Sequence, residues 1–191
     1  MKLRDYQSEA VRDIEGALDQ YKTALFQLGT GGGKTTIFAE ITRRAVDRGE
    51  SVFILAHRRE LIDQGAARLR IFGIEPGLII SGEKADLLAR VQIGSVQTLI
   101  RRLHSYDAPE LIIIDEAHRS VAKTYTDILT AYPFARVLGV TATPCRLDGK
   151  GLKEAFGCIV KGPSVETLIG SGYLMRPVIY SASIPDLTGV K

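Results

Sequence analysis

At 191 residues the chain can bury one sizeable core, and its length argues against two complete domains. Hydrophobic residues make up 45% and charged residues 25%, which excludes a disordered chain. The net charge of +3 permits a nucleic-acid partner without requiring one.

Apolar runs such as Leu111-Ile112-Ile113-Ile114 are too short to span a bilayer, and Met1 to Tyr6 contain no signal-peptide stretch. Cys145 and Cys158 have no metal-ligand spacing and read as free thiols. These features lead us to expect a cytoplasmic protein without a membrane partner.

In chain order, short apolar runs alternate with helical stretches. Strands are predicted at 23–27, 51–56, 78–80, 91–94, 110–114 and 136–140, with the wholly apolar 111–114 suited to a doubly buried strand. A helix over 35–48 has Ile37, Phe38, Ile41, Ala45 and Val46 on one side and Glu40, Arg43, Arg44 and Asp47 on the other. A second follows over 59–72, and Gly49 and Gly73 sit where helix stops belong. Strand and helix alternating in this way predict an α/β fold, a mainly parallel sheet with helices on both faces. Tyr125, Tyr132 and Phe134 are expected to pack against it. After Thr143-Pro144 glycines crowd the sequence, and a possible strand at 177–181 leads nowhere, so the ending reads as a cut.

Leu28-Gly29-Thr30-Gly31-Gly32-Gly33-Lys34-Thr35 follows the first strand and opens a helix, the context a phosphate-binding loop needs. Glycines let backbone N–H groups turn onto phosphates, and the positive end of the helix adds to this. Lys34 would reach the β- and γ-phosphates, and the Thr35 hydroxyl would bind Mg²⁺. Leu28 stands where the general pattern has a first glycine.

Asp115-Glu116-Ala117-His118 directly follows the apolar strand. A carboxylate at the C-terminal end of a parallel strand points into the crevice where open α/β sheets bind ligands. Asp115 is the candidate Mg²⁺ ligand, through water, and Glu116 the candidate base for the attacking water. A solvated acidic helix start would carry the same residues.

Together these motifs resemble superfamily 2 DEAD/DEAH-box helicases. The resemblance implies a RecA-like P-loop NTPase domain that uses ATP and Mg²⁺. Glu116, Lys34 and Asp115 would be catalytic, and Gly29, Thr30, Gly31, Gly32, Gly33, Lys34, Thr35 and Thr36 would line the nucleotide site. Tyr6-Gln7 matches the family's glutamine motif, in which Gln7 would read the adenine edge. Ala56-His57-Arg58-Arg59-Glu60-Leu61 resembles motif Ia, and Gly94-Ser95-Val96-Gln97-Thr98 resembles motif Ib. Thr141-Ala142-Thr143-Pro144 matches motif III, so Thr141, Thr143 and His118 would couple the nucleotide site to the nucleic acid. The series Leu3-Arg4-Asp5-Tyr6-Gln7 to Gly170-Ser171-Gly172-Tyr173-Leu174 is similar to bacterial and phage helicases of the type III restriction-subunit (RadD-like) group, which act mainly on DNA.

Basic residues at His57-Arg58-Arg59 oppose the dipole of the helix they open, a conflict that a bound phosphate would relieve. Ser95, Gln97 and Thr98 can donate to backbone oxygens without reading bases, so binding should be sequence-independent and salt-sensitive. DNA, single- or double-stranded, is the expected partner, with RNA the alternative. Arg101, Arg102 and His104 either extend this path or form the wet face of a helix. Residues 1–175 are expected to be the first RecA-like domain and 176–191 the start of a linker to a second. Without that second domain's arginine fingers, nucleotide would bind but turn over very slowly. A P-loop phosphotransferase, or a nucleotide-gated nucleic-acid binding module without turnover, are the alternative readings.

Overall fold

The computed structural model describes residues 2–117, 123–143 and 156–176. In chain order these form α1 (Asp5–Gln20), β1 (Thr23–Gln27), α2 (Lys34–Asp47), β2 (Val52–Ala56), α3 (Arg59–Ile71), β3 (Gly77–Ile79) and β4 (Val91–Ser95). There follow α4 (Val96–Ile100), β5 (Leu111–Asp115), α5 (Lys123–Ala131), β6 (Arg136–Thr141), β7 (Cys158–Lys161) and α6 (Val165–Gly170). The strands make one sheet in the order β3-β4-β2-β5-β6-β1-β7, and every pairing is parallel.

Parallel neighbours cannot be joined by tight hairpins, so the connections must cross the sheet faces. Side chains alternate between those faces. Ala24 and Phe26 of β1 and Ile113 of β5 pack with α1, α2 and α3, whereas Leu25, Ile112 and Ile114 face α4 and α5. Helices therefore cover both sides, and β2 and the apolar part of β5 are buried throughout. Each predicted strand and helix reappears with its ends displaced by at most one residue.

α1, α4, α5, α6 and β7 were not among the elements expected. In α1, Ala10, Val11, Ile14 and Leu18 are buried at helical spacing. β7 pairs with β1 at the edge of the sheet. One packing expectation fails: Tyr132 is buried and meets the Phe53 ring edge-on at 5.8 Å, but Phe134 is 95% exposed. Tyr132 and Ala135 join the core cluster that holds Val137 of β6, and the Phe134 ring stays outside it. The Tyr125 side chain, Cys145 and the possible strand at 177–181 lie outside the described residues, and Cys158 is a free thiol. Among the described residues no helix is long and apolar enough to cross a membrane.

An ion-pair chain ties α2 to its surroundings. Glu40 meets Arg43 at 2.8 Å and Arg44 at 2.9 Å, and Arg44 continues to Glu15 of α1 at 2.8 Å. Arg48 links Glu15 to Glu50, which Arg136 of β6 also holds, at 2.7 Å. The hydrogen bonds from Arg43, followed by those from Arg44, hold the buried Glu40 carboxyl below its ordinary value of 4.5 against the opposing effect of burial. A lowered folded-state value means that this stability is present above the unfolded value and lost as pH falls through the folded one. Glu40→Gln is expected to lower unfolding stability by about 2 kcal/mol at pH 7. In urea titrations the difference should shrink toward pH 3; a difference independent of pH would refute the ion-pair origin.

Candidate nucleotide site and nucleic-acid interface

Strand register sets the site. Gln27 lies opposite Thr141, Asp115 opposite Val140, and Ala56 opposite Ser95. The C-terminal ends of β4, β2, β5, β6 and β1 therefore form one edge, from which the glycine loop, the Asp115–Glu116 pair and the segments resembling motifs Ia, Ib and III all leave. Neighbouring strands are about 4.8 Å apart, so β1, which carries the glycine loop, and β5, which carries Asp115, are separated by about 10 Å. The two clusters share the sheet edge outside which open parallel sheets bind ligands in a crevice.

The loop is shaped by residues on either side of it. Leu28 donates its N–H to the Thr141 carbonyl at 3.0 Å, extending the β1–β6 ladder into the turn. Gly33 opens α2 with φ 88°, a left-handed conformation that side chains disfavour, and a Cβ there would lie 2.5 Å from Gln7 Nε2. Among the described residues, the N–H groups of Gly31, Gly33, Lys34 and Thr35 donate to no backbone carbonyl outside the helix. Such orphan donors at a helix start make an anion cradle. The Lys34 ammonium rests 3.3 Å from the Leu28 carbonyl, a long contact that a phosphate oxygen could replace. Gly29 and Thr35 are half-buried, Thr30 and Gly31 exposed, and Gly32 and Thr36 buried.

Gln7 is 5% exposed, and its amide oxygen accepts the Arg4 N–H at 3.0 Å. That bond is half of a capping box for α1, a structural use the sequence did not suggest. A carbonyl oxygen has a second lone pair, and the amide nitrogen faces the loop. Tyr6 donates its hydroxyl to the Gly32 carbonyl at 2.7 Å.

Across the crevice, Asp115 ends β5 half-buried and accepts the Glu116 N–H at 3.0 Å. Glu116 has φ 54°, the only left-handed non-glycine among the described residues. Such strain costs of order 1 kcal/mol and is typical of functional positions. Thr141 Oγ1 both accepts the Thr143 N–H at 3.1 Å and donates to the Thr143 carbonyl at 2.8 Å. His118 lies outside the described residues. Among those residues no group of three or more His, Cys, Asp or Glu could hold a metal alone. Mg²⁺ needs no such group, because it is commonly held by one carboxylate, a hydroxyl, phosphate oxygens and water. Thr35 and Asp115 supply donors of that chemistry.

The other half of the edge carries the basic residues. Arg58 is exposed at the start of α3, and His57 is half-buried. Arg59 meets Asp63 at 3.0 Å and Glu83 at 2.9 Å. The charge conflict anticipated there is thus met in part by carboxylates of the chain itself. In motif Ib, the Ser95 hydroxyl donates to the Gln97 amide oxygen at 2.8 Å, Gln97 is exposed, and Thr98 is only 9% exposed. Thr98 therefore serves α4 packing, leaving Ser95 and Gln97 at the surface. Arg101 and His104 are exposed and Arg102 half-buried, next to a 3₁₀ turn at Leu103–Ser105.

Comparison with known proteins agrees with this architecture. Residues 1–146, more than half the chain, match the family described as type III restriction enzyme, res subunit. The Saccharomyces cerevisiae protein IRC3, classed by name among ATP-dependent helicases, is 36% identical over 211 residues, covering 99% of this chain and 30% of the relative. The DNA 3'-5' translocase XPB2 of Sulfurisphaera tokodaii is 31% identical over 191 residues, covering 99% of this chain and 38% of the relative. The chain thus spans about a third of the length of these relatives. The Hef helicase domain of Pyrococcus furiosus superposes with a TM-score of 0.70 at 23% identity, over 83% of this chain and 37% of that one. A nuclease-deletion mutant of the restriction-modification enzyme LlaGI, solved with a DNA substrate mimic, gives 0.73 at 16% identity, over 91% and 21%. By sequence and by fold, the chain belongs to the type III restriction res-subunit family and carries a RecA-like domain of a superfamily 2 helicase motor.

Proposed function

We propose that this domain binds Mg-ATP between the glycine loop and the Asp115–Glu116 pair, and a nucleic-acid backbone beside it on the same sheet edge. The observation carrying this is the register that sets Gln27, Thr141 and Asp115 on adjacent strand ends. The unpaired N–H groups of Gly31, Gly33, Lys34 and Thr35 and the Lys34 ammonium hold the phosphates, while Thr35 and Asp115 hold the metal. Bound Mg²⁺ neutralises charge on the phosphate oxygens. Glu116 orients the attacking water and accepts its proton.

Arg58, Arg59, His57, Ser95 and Gln97 meet phosphates of DNA, the substrate named for the XPB2 relative. Thr141 and Thr143 couple the two halves: the Thr141 carbonyl holds the Leu28 N–H, so a shift of the loop on binding phosphate moves the 141–143 turn. The chain spans about a third of its relatives. We assign to the remainder a second RecA-like domain, entered through a linker that begins near residue 176. An arginine finger from such a domain is worth about 10³–10⁵ in turnover. The 191 residues alone therefore bind nucleotide and hydrolyse it very slowly.

Calorimetric titration with Mg-ATP, followed by phosphate-release assays with and without single-stranded DNA, tests this. One binding site with near-background turnover is expected. No heat of binding overturns the nucleotide site, and strong DNA-stimulated turnover overturns the need for a second domain.

A further inference from the structure

A cleft opens at the sheet edge opposite the glycine loop, beside the N-terminal ends of β2, β4 and β5. Its volume is about 290 Å³, and Phe53, Gln92, Tyr106, Asp107 and Glu110 are among its walls. That volume is near the lower limit of small-molecule sites, enough for one long side chain or a ligand of similar size. Neither the phosphate loop nor the basic residues at 57–59 contribute to it.

Two polar atoms in these walls have no partner. Gln92 is 1% exposed, and its amide nitrogen donates to the carbonyls of Asp86 and Ala89. Those bonds fix the amide's orientation, since its oxygen could not face two carbonyls, and Gln92 Oε1 is left without a donor. Tyr106, 8% exposed, meets the Phe53 ring edge-on at 5.8 Å, and its hydroxyl is also unpartnered. Among the described residues these are the two buried side-chain polar atoms that lack a hydrogen bond. Native interiors rarely leave such atoms unpaired, and a pair lining one cleft calls for a ligand that donates to both.

The surrounding charge narrows the ligand's chemistry. The Ser51 hydroxyl and N–H both donate to Glu110 Oε2, at 2.7 and 2.6 Å, and hold that carboxyl below its ordinary value of 4.5. Arg90, the one cation in the lining, turns its guanidinium to the Gly49 carbonyl. With Asp107 and Glu110 against it, the walls are net negative and rich in acceptors.

We propose that this cleft binds a guanidinium group on a short alkyl stem, which donates to Gln92 Oε1 and the Tyr106 oxygen. A guanidinium is weakly hydrated, so bringing it against neutral acceptors costs less than bringing a compact ammonium, and its planar fork offers several donors at once. Leu87 and Leu88, 54% and 96% exposed, also line the cleft and give the stem an apolar wall. Because the cleft is on the opposite edge, the proposal stands or falls apart from the nucleotide reading.

Agmatine carries this group as a free molecule, and N-acetyl-arginine methylamide carries it as a polypeptide side chain would. Putrescine, with an ammonium in place of the guanidinium, is the control. Each is titrated into the isotope-labelled chain while amide correlation spectra follow the Gln92 side-chain amide and the backbone of 87–92 and 106–110. Either guanidinium compound should shift these signals saturably with a Kd of about 1 mM or below, and putrescine should bind at least about fivefold more weakly. The tighter of the two guanidinium compounds identifies the source. Tyr106→Phe keeps the ring and removes an oxygen that has no bond to lose. Its thermal midpoint should hold within about 2 °C while affinity falls about fivefold. No saturation up to about 10 mM of either compound overturns the proposal and leaves the cleft to water. Equal binding of putrescine overturns it as a general attraction for cations, and so does undiminished binding by Tyr106→Phe.

Discussion

Lys34→Ala is expected to weaken Mg-ATP binding at least about 30-fold while leaving the thermal midpoint of the nucleotide-free chain within about 2 °C. Lys34 is the one formally charged residue between Leu28 and Thr36, so the loop's attraction for phosphate otherwise rests on backbone dipoles. Among the described residues its ammonium is held only by the long 3.3 Å contact to the Leu28 carbonyl, which contributes little to the fold. Truncation leaves the orphan N–H groups of α2 in place, so weak anion binding should persist. Lys34→Arg separates charge from shape. A planar guanidinium fits poorly where a compact ammonium must sit between two phosphates, and a substantial loss is expected there too. Unchanged ATP affinity in Lys34→Ala, measured by calorimetry, would show that the loop does not hold the triphosphate.

The sheet was legible because its signal is local. Runs such as Val52-Phe53-Ile54-Leu55 and Leu111-Ile112-Ile113-Ile114 are buried on both faces and so read as unbroken apolar segments. β7 escaped notice because Cys158-Ile159-Val160-Lys161 is short, lies between Gly157 and Gly162, and exists only through its pairing with β1. The signal for α1 was present in Ala10, Val11, Ile14 and Leu18, but it was overshadowed by reading Tyr6 and Gln7 as a ligand motif alone. At the site, residue types were readable and their partners were not. Nothing in the sequence pairs Arg59 with Glu83, turns the Ser95 hydroxyl onto Gln97, or brings Tyr173 to Arg4. These are tertiary contacts, and they decide which side chains remain available to a ligand.

In a longer protein that supplies the second ATPase domain, Glu116→Gln is expected to retain ATP binding and lose about 10²–10⁴-fold in turnover. Glutamine keeps the length and hydrogen-bonding reach of the side chain but cannot accept a proton at neutral pH. The backbone makes the substitution informative. At φ 54°, Glu116 occupies a conformation that glycine would adopt without strain, and its N–H is committed to Asp115 Oδ1 at 3.0 Å. The turn therefore fixes the Asp115 carboxylate and re-aims the next side chain off the strand path in a single step. Because glutamine inherits the same backbone strain, the variant isolates proton acceptance from geometry. Glu116→Gly removes the strain together with the carboxylate. Its turnover should fall as far, while its unfolding midpoint should stay level, with relief of about 1 kcal/mol offsetting the more flexible unfolded chain. Steady-state phosphate release saturated with single-stranded DNA, read beside ATP affinity, distinguishes the outcomes. Normal turnover by Glu116→Gln would move the base elsewhere, and lost ATP binding would make Glu116 a structural support of the crevice.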